Sequence, residues 1–121
     1  MEDIRKQCIF CRIADREIPS PLLWEDEDVV AFADLYPKAP LHILIIPRKH
    51  IASLNELGPE DIHLLGKINY VASRLAAEKG VAESGWRLVS NCGRHAGQEV
   101  FHLHFHLLGG RDLGIFCENQ G

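Results

Sequence analysis

Three histidines alternate with large apolar residues in one short run between Phe101 and Gly110. The run reads Phe-His-Leu-His-Phe-His-Leu-Leu-Gly-Gly, so that His102, His104 and His106 occupy every second position. Successive side chains of a strand point to opposite faces, and the pattern therefore predicts a strand whose imidazoles share one face, about 6.6 Å apart. Imidazole titrates near neutral pH, which lets it act as a nucleophile, acid, base or metal ligand.

Three interpretations of this run are open. The imidazoles could be unrelated, they could ligate one metal ion, or one of them could be the nucleophile of phosphoryl or nucleotidyl transfer. The preceding segment, residues 91–99, favours the third interpretation because it is rich in small and amide residues. Backbone N–H groups in such a loop can hold phosphate oxygens without adding charge.

A second candidate site is the Cys-x-x-Cys motif formed by Cys8 and Cys11 near the N-terminus. This spacing suits either one metal ion or a redox dithiol. The other two cysteines, Cys92 and Cys117, do not form a second such motif. Any metal site at the motif must therefore take its remaining ligands from histidines.

The composition is that of an ordinary globular protein, which we expect to be a single domain over residues 1–121. Of the residues, 13 are basic and 17 acidic, and the charges are scattered. We therefore expect neither a nucleic-acid partner nor a membrane surface. The longest apolar stretch, residues 43–46, is too short to cross a bilayer, and the N-terminus shows no signal segment. These features predict a cytoplasmic location.

The rest of the chain must position these groups, and its pattern predicts mostly strands with one long helix. Apolar residues recur at helical spacing between Pro59, which suits a first turn, and Gly80, which suits a C-terminal cap. The other predicted elements are a short helix at 8–14, a hairpin of 22–25 and 29–32, a loop at 34–40, and strands at 42–46, 86–90 and the histidine run. Together they predict an α+β fold: an antiparallel meander of about five strands, covered on one face by the long helix.

The segment from Gly97 to Arg111 resembles the signature of the histidine triad (HIT) superfamily, in which three histidines alternate with apolar residues. The sequence is most similar to the Hint branch, the purine nucleoside phosphoramidases, in their bacterial form. The similarity extends nearly end to end, through 9–10, 16–19, 31–34, 39–47 and 91–97. It implies a HIT-like fold and a homodimer whose two sheets join into one continuous sheet.

The resemblance also implies an activity: hydrolysis of purine nucleoside phosphoramidates and acyl- or aminoacyl-adenylates through a nucleotidyl-histidine intermediate, with release of AMP or GMP. His104 would be the nucleophile, His106 would contact the α-phosphate, and His102 and His42 would orient the site. The implied nucleotide-binding residues are Phe10, Phe32 and Leu35 around the purine, Asp34 at the ribose, and Asn91, Gly97, Gln98 and Glu99 on the phosphate and leaving-group side. Catalysis of this kind requires no metal.

Cys8, Cys11 and the segment Pro47-Arg48-Lys49-His50 resemble the zinc-binding branches of the superfamily. The resemblance implies a structural zinc on Cys8, Cys11, His50 and His102. This motif is one of three differences from well-known Hint proteins. In the other two, Glu99 replaces a serine found in some members, and the tail, residues 113–121, lacks their Trp-Pro-Pro-Gly ending. Other functions remain open, namely dinucleoside polyphosphate hydrolysis, nucleotidyl transfer to a sugar phosphate, and a nucleotide-binding regulatory role.

Overall fold

The computed structural model describes residues 4–116, so Cys117 and the end of the tail lie outside the described residues. Five antiparallel strands form one sheet: β1 (Leu22–Glu25), β2 (Val29–Ala33), β3 (Leu41–Pro47), β4 (Trp86–Val89) and β5 (Phe105–Gly109). This confirms the predicted α+β fold. The strand order β1-β2-β3-β5-β4 departs from a simple meander, because β5 lies between β3 and β4. The histidine strand is thereby brought directly against the central strand β3.

Three helices complete the described fold: α1 (Ile4–Gln7), α2 (Ile9–Ala14) and α3 (Ile62–Glu78). Helix α3 follows a 3-10 turn at Pro59–Asp61 and ends before Gly80, whose φ of +78° suits the end of a helix. Of the residues at helical spacing, Leu65 is only half-buried, and the others are buried: Leu64, Ile68, Val71, Ala72, Leu75 and Ala76. No helix within residues 4–116 is long and apolar enough to span a membrane.

The two faces of the sheet pack against different helices. Alternate residues of β2 and β3, such as Ala31 and Ile45, belong to the core beneath α3. The residues between them, such as Phe32 and Leu44, pack with Phe10 and its neighbours on α2. Both strands are therefore buried on both faces, which explains their nearly continuous apolar sequences.

The histidine strand is shorter than predicted. Strand β5 begins only at Phe105, so His102 and His104 precede it. The chain there is held by the segment that follows β3: the Leu103 amide donates to the Ile51 carbonyl at 2.6 Å. The Pro47 carbonyl, at the end of β3, accepts a bond from the His102 side chain. Ladder pairing between β3 and β5 thus ends at Phe105, and the three imidazoles acquire different surroundings.

Candidate active site

Four histidines predicted to serve catalysis meet around the start of β5. The ring centroids of His104 and His106 are 5.1 Å apart, and those of His42 and His106 are also 5.1 Å apart. His106 lies opposite Leu44 in the β3–β5 register and so shares the α2 face of the sheet with it. His102 is fully buried at the other end of the run.

His104 is held in one orientation by the backbone of its own segment. Its Nδ1 lies 2.7 Å from the His102 carbonyl oxygen, which only accepts, so that Nδ1 must carry the ring hydrogen. The ring edge packs against Phe10, with centroids 5.1 Å apart. The Ser90 hydroxyl donates to the His104 carbonyl at 2.8 Å and fixes the peptide from the other side. Nε2 makes no hydrogen bond to any described residue and keeps its lone pair for attack on an electrophile.

His106 and His42 form a hydrogen-bonded pair, and the His106 ring lies beside that of His104. Nε2 of His42 lies 2.9 Å from Nδ1 of His106 and 3.3 Å from a carboxylate oxygen of Asp34. The pKa of His106 is lowered to about 4, chiefly by burial and also by the neighbouring His104 and His42, against the opposing effect of Asp34. Burial also lowers the pKa of His42. Both rings are therefore neutral at neutral pH and act as hydrogen-bonding groups.

The remaining histidine of the run belongs to a second cluster with the Cys-x-x-Cys motif. His102 donates from Nε2 to the Pro47 carbonyl at 2.8 Å, which leaves its Nδ1 lone pair facing the two thiols. That nitrogen is 3.3 Å from Cys8 Sγ and 3.4 Å from Cys11 Sγ. Nδ1 of His50 is 3.3 Å from Cys11 Sγ. The four predicted zinc ligands thus come together, with all donor atoms within 4.8 Å of one another.

These distances fit a tetrahedral zinc centre. With typical bond lengths, the sulfur and nitrogen donors of such a centre are separated by about 3.6 Å. Burial, with the hydrogen bond and charge of Cys8, raises the pKa of the Cys11 thiol to about 12. Burial also lowers the pKa of His102 to about 4. The imidazole lone pairs are thus available, whereas binding of a divalent cation must displace thiol protons.

The predicted purine-binding residues divide into two groups. Phe10 and Phe32 are buried, and their rings meet edge to face with centroids 5.6 Å apart. Leu35, in the loop after β2, is 87% exposed. Asp34 precedes it and is tied into a turn, because one carboxylate oxygen accepts from the Tyr36 amide at 2.8 Å. The structure thus brings Phe10 beside His104 and Asp34 beside His42, and leaves Leu35 exposed.

Gln98, predicted on the phosphate side, has a side chain that is hydrogen-bonded to backbone groups of the protein. Its oxygen accepts from the Gly93 amide at 2.9 Å, and its nitrogen donates to the carbonyls of Ala52 and Val100 at 2.8 and 3.0 Å. The residue is 7% exposed. Gln98 therefore clamps the loop at residues 91–97 onto the segment after β3.

The other predicted residues of this loop are more open. Asn91 is half-buried, and its side chain has no hydrogen bond within residues 4–116. Glu99 is exposed. Gly97 has a φ of +85° and ends the 3-10 turn at Arg94–Ala96, a backbone conformation that favours glycine. Asn91 and Glu99 are therefore free to meet a ligand, while Gly97 shapes the loop.

Three contributors to the site were missed by sequence reasoning. The Ser90 hydroxyl, the Pro47 carbonyl and the Lys38 amide bind His104, His102 and His42, respectively. Two of these are backbone groups, which nearly every residue type offers, so the sequence does not reveal them. Ser90 is the last residue of a predicted strand. The only signal of a role was that it directly precedes Asn91, which was predicted to belong to the site.

The sheet, the long helix and the histidine cluster define a histidine triad protein, and the chain belongs to this family. Residues 7–120 match the family model described as Scavenger mRNA decapping enzyme C-term binding. The purine nucleoside phosphoramidase of Escherichia coli (strain K12) is 47% identical over 116 residues, covering 96% of this chain and 98% of that protein.

Solved structures agree with this assignment. A histidine triad protein from Clostridium difficile has a TM-score of 0.89 at 45% identity, covering 96% of this chain and 99% of its own. A HIT family hydrolase from Clostridium thermocellum has a TM-score of 0.88 at 49% identity, covering 91% and 96%, respectively. The chain is thus similar to proteins of this family in sequence and in fold over nearly its whole length.

Proposed function

We propose that this protein hydrolyses the P–N bond of purine nucleoside phosphoramidates, and likewise cleaves acyl- and aminoacyl-adenylates, with release of AMP or GMP. The observation that carries the proposal is His104, whose Nδ1–H is bound to the His102 carbonyl while Nε2 is left free. An imidazole in this form is a good nucleophile toward phosphorus. The relative named as a purine nucleoside phosphoramidase supports the same reaction class.

In the first step, Nε2 of His104 attacks the phosphorus and forms a P–N bond, while the bond to the leaving group breaks with its electron pair. A phosphoramidate loses an amine, which departs with a proton carried by the substrate, and an adenylate loses a carboxylate. The His102 carbonyl stabilises the positive charge that develops on the ring of His104. Neutral His106 donates a hydrogen bond to a phosphate oxygen.

In the second step, water attacks the phosphorus of the nucleotidyl-His104 intermediate. The new P–O bond forms as the P–N bond to His104 breaks with its electron pair, and the attacking water releases a proton to solvent, so that AMP or GMP is released and the neutral imidazole is restored. Dividing one displacement between two easier ones is the advantage of covalent catalysis. No step in this sequence requires a catalytic metal.

The nucleoside is bound by the residues that adjoin these histidines. The buried pair Phe10 and Phe32 supplies an aromatic wall for the purine, and the exposed Leu35 covers the base once it is bound. The Asp34 carboxylate accepts the ribose hydroxyls. One of its oxygens is bound by the Tyr36 amide, and the other lies 3.3 Å from Nε2 of His42. Asn91 and Glu99 face the leaving group.

The cluster of Cys8, Cys11, His50 and His102 holds a structural zinc ion in this proposal. The donor types and the short sulfur–nitrogen distances support the assignment. When bound, the ion would cross-link α2, the segment after β3 and the start of the histidine run. Because His102 also offers its carbonyl to His104, a fixed His102 steadies the nucleophile without contact between metal and substrate.

The protein further acts as a homodimer in the cytoplasm. Within the described sheet, β1 and β4 are the two edges. The register of β1 is interrupted between Leu22 and Trp24, whereas β4 pairs regularly along its length. An uninterrupted edge accepts a further strand more readily, so that β4 is the edge for joining two sheets. Light scattering after size exclusion tests this: twice the chain mass of 13.6 kDa supports the dimer, and a single mass contradicts it.

AMP release from adenosine phosphoramidate tests the function directly. We expect rapid release by the wild type that survives excess chelator, and a loss of roughly 10⁴-fold or more in His104→Ala. Loss of wild-type activity with chelator would instead indicate a metal hydrolase. Failure to release AMP, with turnover of dinucleoside polyphosphates or nucleotide binding alone, would move the function to one of the other possibilities open to this superfamily.

A further inference from the structure

His42 makes a contact that the proposed mechanism does not use. Its Nδ1 lies 3.0 Å from the backbone nitrogen of Lys38, in the loop between β2 and β3. A backbone amide can only donate, so Nδ1 must present a lone pair. A neutral imidazole carries one ring hydrogen, and His42 is buried and neutral at neutral pH. The hydrogen of His42 is therefore on Nε2.

The hydrogen on Nε2 of His42 also determines the tautomer of His106. Nε2 of His42 is hydrogen-bonded to Nδ1 of His106 at 2.9 Å, and a carboxylate oxygen of Asp34 lies 3.3 Å from the same nitrogen. Because His42 is the donor, Nδ1 of His106 is an acceptor. The one hydrogen of neutral His106 is therefore on Nε2, the nitrogen not used by His42.

We propose that the Lys38 backbone amide is a positioning group that fixes the ring hydrogens of His42 and His106, so that His106 presents Nε2–H to a phosphate oxygen of the substrate. In the opposite tautomer, His106 would present a lone pair to an anion, which is repulsive. The inference rests on the proposed function, because only an anionic substrate makes the difference matter. It assigns a role to a backbone group of the loop between β2 and β3.

The loop is built to hold this amide still. The Lys38 carbonyl accepts from the Arg111 guanidinium at 3.0 Å, so that the residue is held on both sides of its backbone. The Asp34 amide donates to the His42 carbonyl at 3.0 Å and closes the base of the loop. Pro37 restricts the chain immediately before Lys38. A rigid donor of this kind discriminates between tautomers better than a mobile side chain.

The donor atoms of Asp34, His42 and His106 also lie within 4.8 Å of one another, a spacing that could suit a metal ion. Ligation through Nε2 of His42 would require its hydrogen to move to Nδ1, facing the hydrogen of the Lys38 amide. The hydrogen-bond pattern therefore favours a relay of donors over a metal site here.

Long-range proton–nitrogen correlation spectra of the histidine rings test the proposal in the wild-type protein at neutral pH. Resonances are assigned with His42→Gln and His106→Gln. We expect the Nε2–H form for both His42 and His106. A hydrogen on Nδ1 of either ring would overturn the proposal. The spectra do not depend on turnover, so a wild type that releases no AMP refutes the proposed function and leaves this result standing.

A pair of variants at Lys38 connects the tautomers to catalysis. Lys38→Pro removes the amide hydrogen, while Lys38→Ala keeps it and serves as the reference. We expect mixed tautomers at His42 in the proline variant and a kcat roughly 10- to 100-fold below that of the alanine variant, with KM changed less. That loss is smaller than the roughly 10²- to 10³-fold typical of a deleted direct donor. A folded proline variant with the kcat of the alanine variant would overturn the proposal, and if it does not fold, the wild-type spectra decide.

Discussion

His102 and His106 are four residues apart on one run, yet their surroundings differ in kind. His102 is fully buried, donates from Nε2 to the Pro47 carbonyl and turns its Nδ1 lone pair toward two thiols. His106 is half-buried and has its Nδ1 against His42. In the proposed function, one ring binds a soft cation and the other donates to an anion. The difference teaches that the neighbour of one ring nitrogen decides the use of the other.

Between them, His104 has the opposite arrangement to both. Its hydrogen is on Nδ1, held by the His102 carbonyl, so that Nε2 keeps the lone pair for attack. In the proposed function, three residues of one type thus serve as a ligand, a nucleophile and a donor, because a different group occupies one nitrogen of each ring.

A substitution in the cluster of Cys8, Cys11, His50 and His102 should affect stability most. We expect Cys11→Ser to lose bound zinc and to lower the thermal midpoint by roughly 10 °C, equivalent to about 3 kcal/mol, because the buried cross-link is removed. Cys92→Ser is the matched control, since Cys92 is a half-buried free cysteine outside the cluster. Elemental analysis and thermal unfolding measure both quantities. Equal zinc content and equal thermal midpoints in the two variants would show that the cluster binds no stabilising zinc ion and only packs in the core.

The next largest effect is a loss of folding stability in acid as His106 becomes protonated. The pKa of His106 falls from 6.5 to about 4 on folding, chiefly because the ring is buried. The unfolded chain then binds the proton more readily, so the stability contributed by His106 is complete above pH 6.5 and is lost as pH falls toward 4. The loss amounts to about 3 kcal/mol at most. Denaturant unfolding across this range should show a shallower pH dependence in His106→Gln, and parallel curves would contradict the assignment.

The smallest effect concerns the support of His104. Removing the hydroxyl in Ser90→Ala deletes a hydrogen bond to the His104 carbonyl and should lower the free energy of unfolding by about 1 kcal/mol. It should also lower kcat several-fold, since the nucleophile is held less firmly. Ser84→Ala is the control, because its hydroxyl lies 3.5 Å from its acceptor, at the limit for a hydrogen bond. Identical effects in the two variants would remove Ser90 from the site.

The sequence predicted those elements whose residues carry a periodic signal. The apolar positions of α3 and the buried strand β3 agree with the structure, since burial is what creates such patterns. The meeting of Cys8, Cys11, His50 and His102 was implied by family resemblance. Spacing alone left the choice between a metal and a dithiol open.

Other features could not be predicted because they depend on long-range backbone contacts. Alternation suggested one continuous strand, but bonds to Ile51 and Pro47 take residues 102–104 out of the ladder. The position of β5 between β3 and β4 depends on how the sheet closes, which no local pattern records. Gln98 was expected to meet phosphate, whereas three backbone groups hold its side chain.

The central claim is that His104 alone of the three histidines forms a covalent bond to the substrate. Rapid quenching of the wild type with adenosine phosphoramidate, followed by intact-protein mass spectrometry and peptide mapping, tests it directly. We expect an adduct of one nucleotidyl group on His104 within the first turnover, and none in His104→Ala. An adduct on His106, or AMP formed in the first turnover without any adduct, would contradict it.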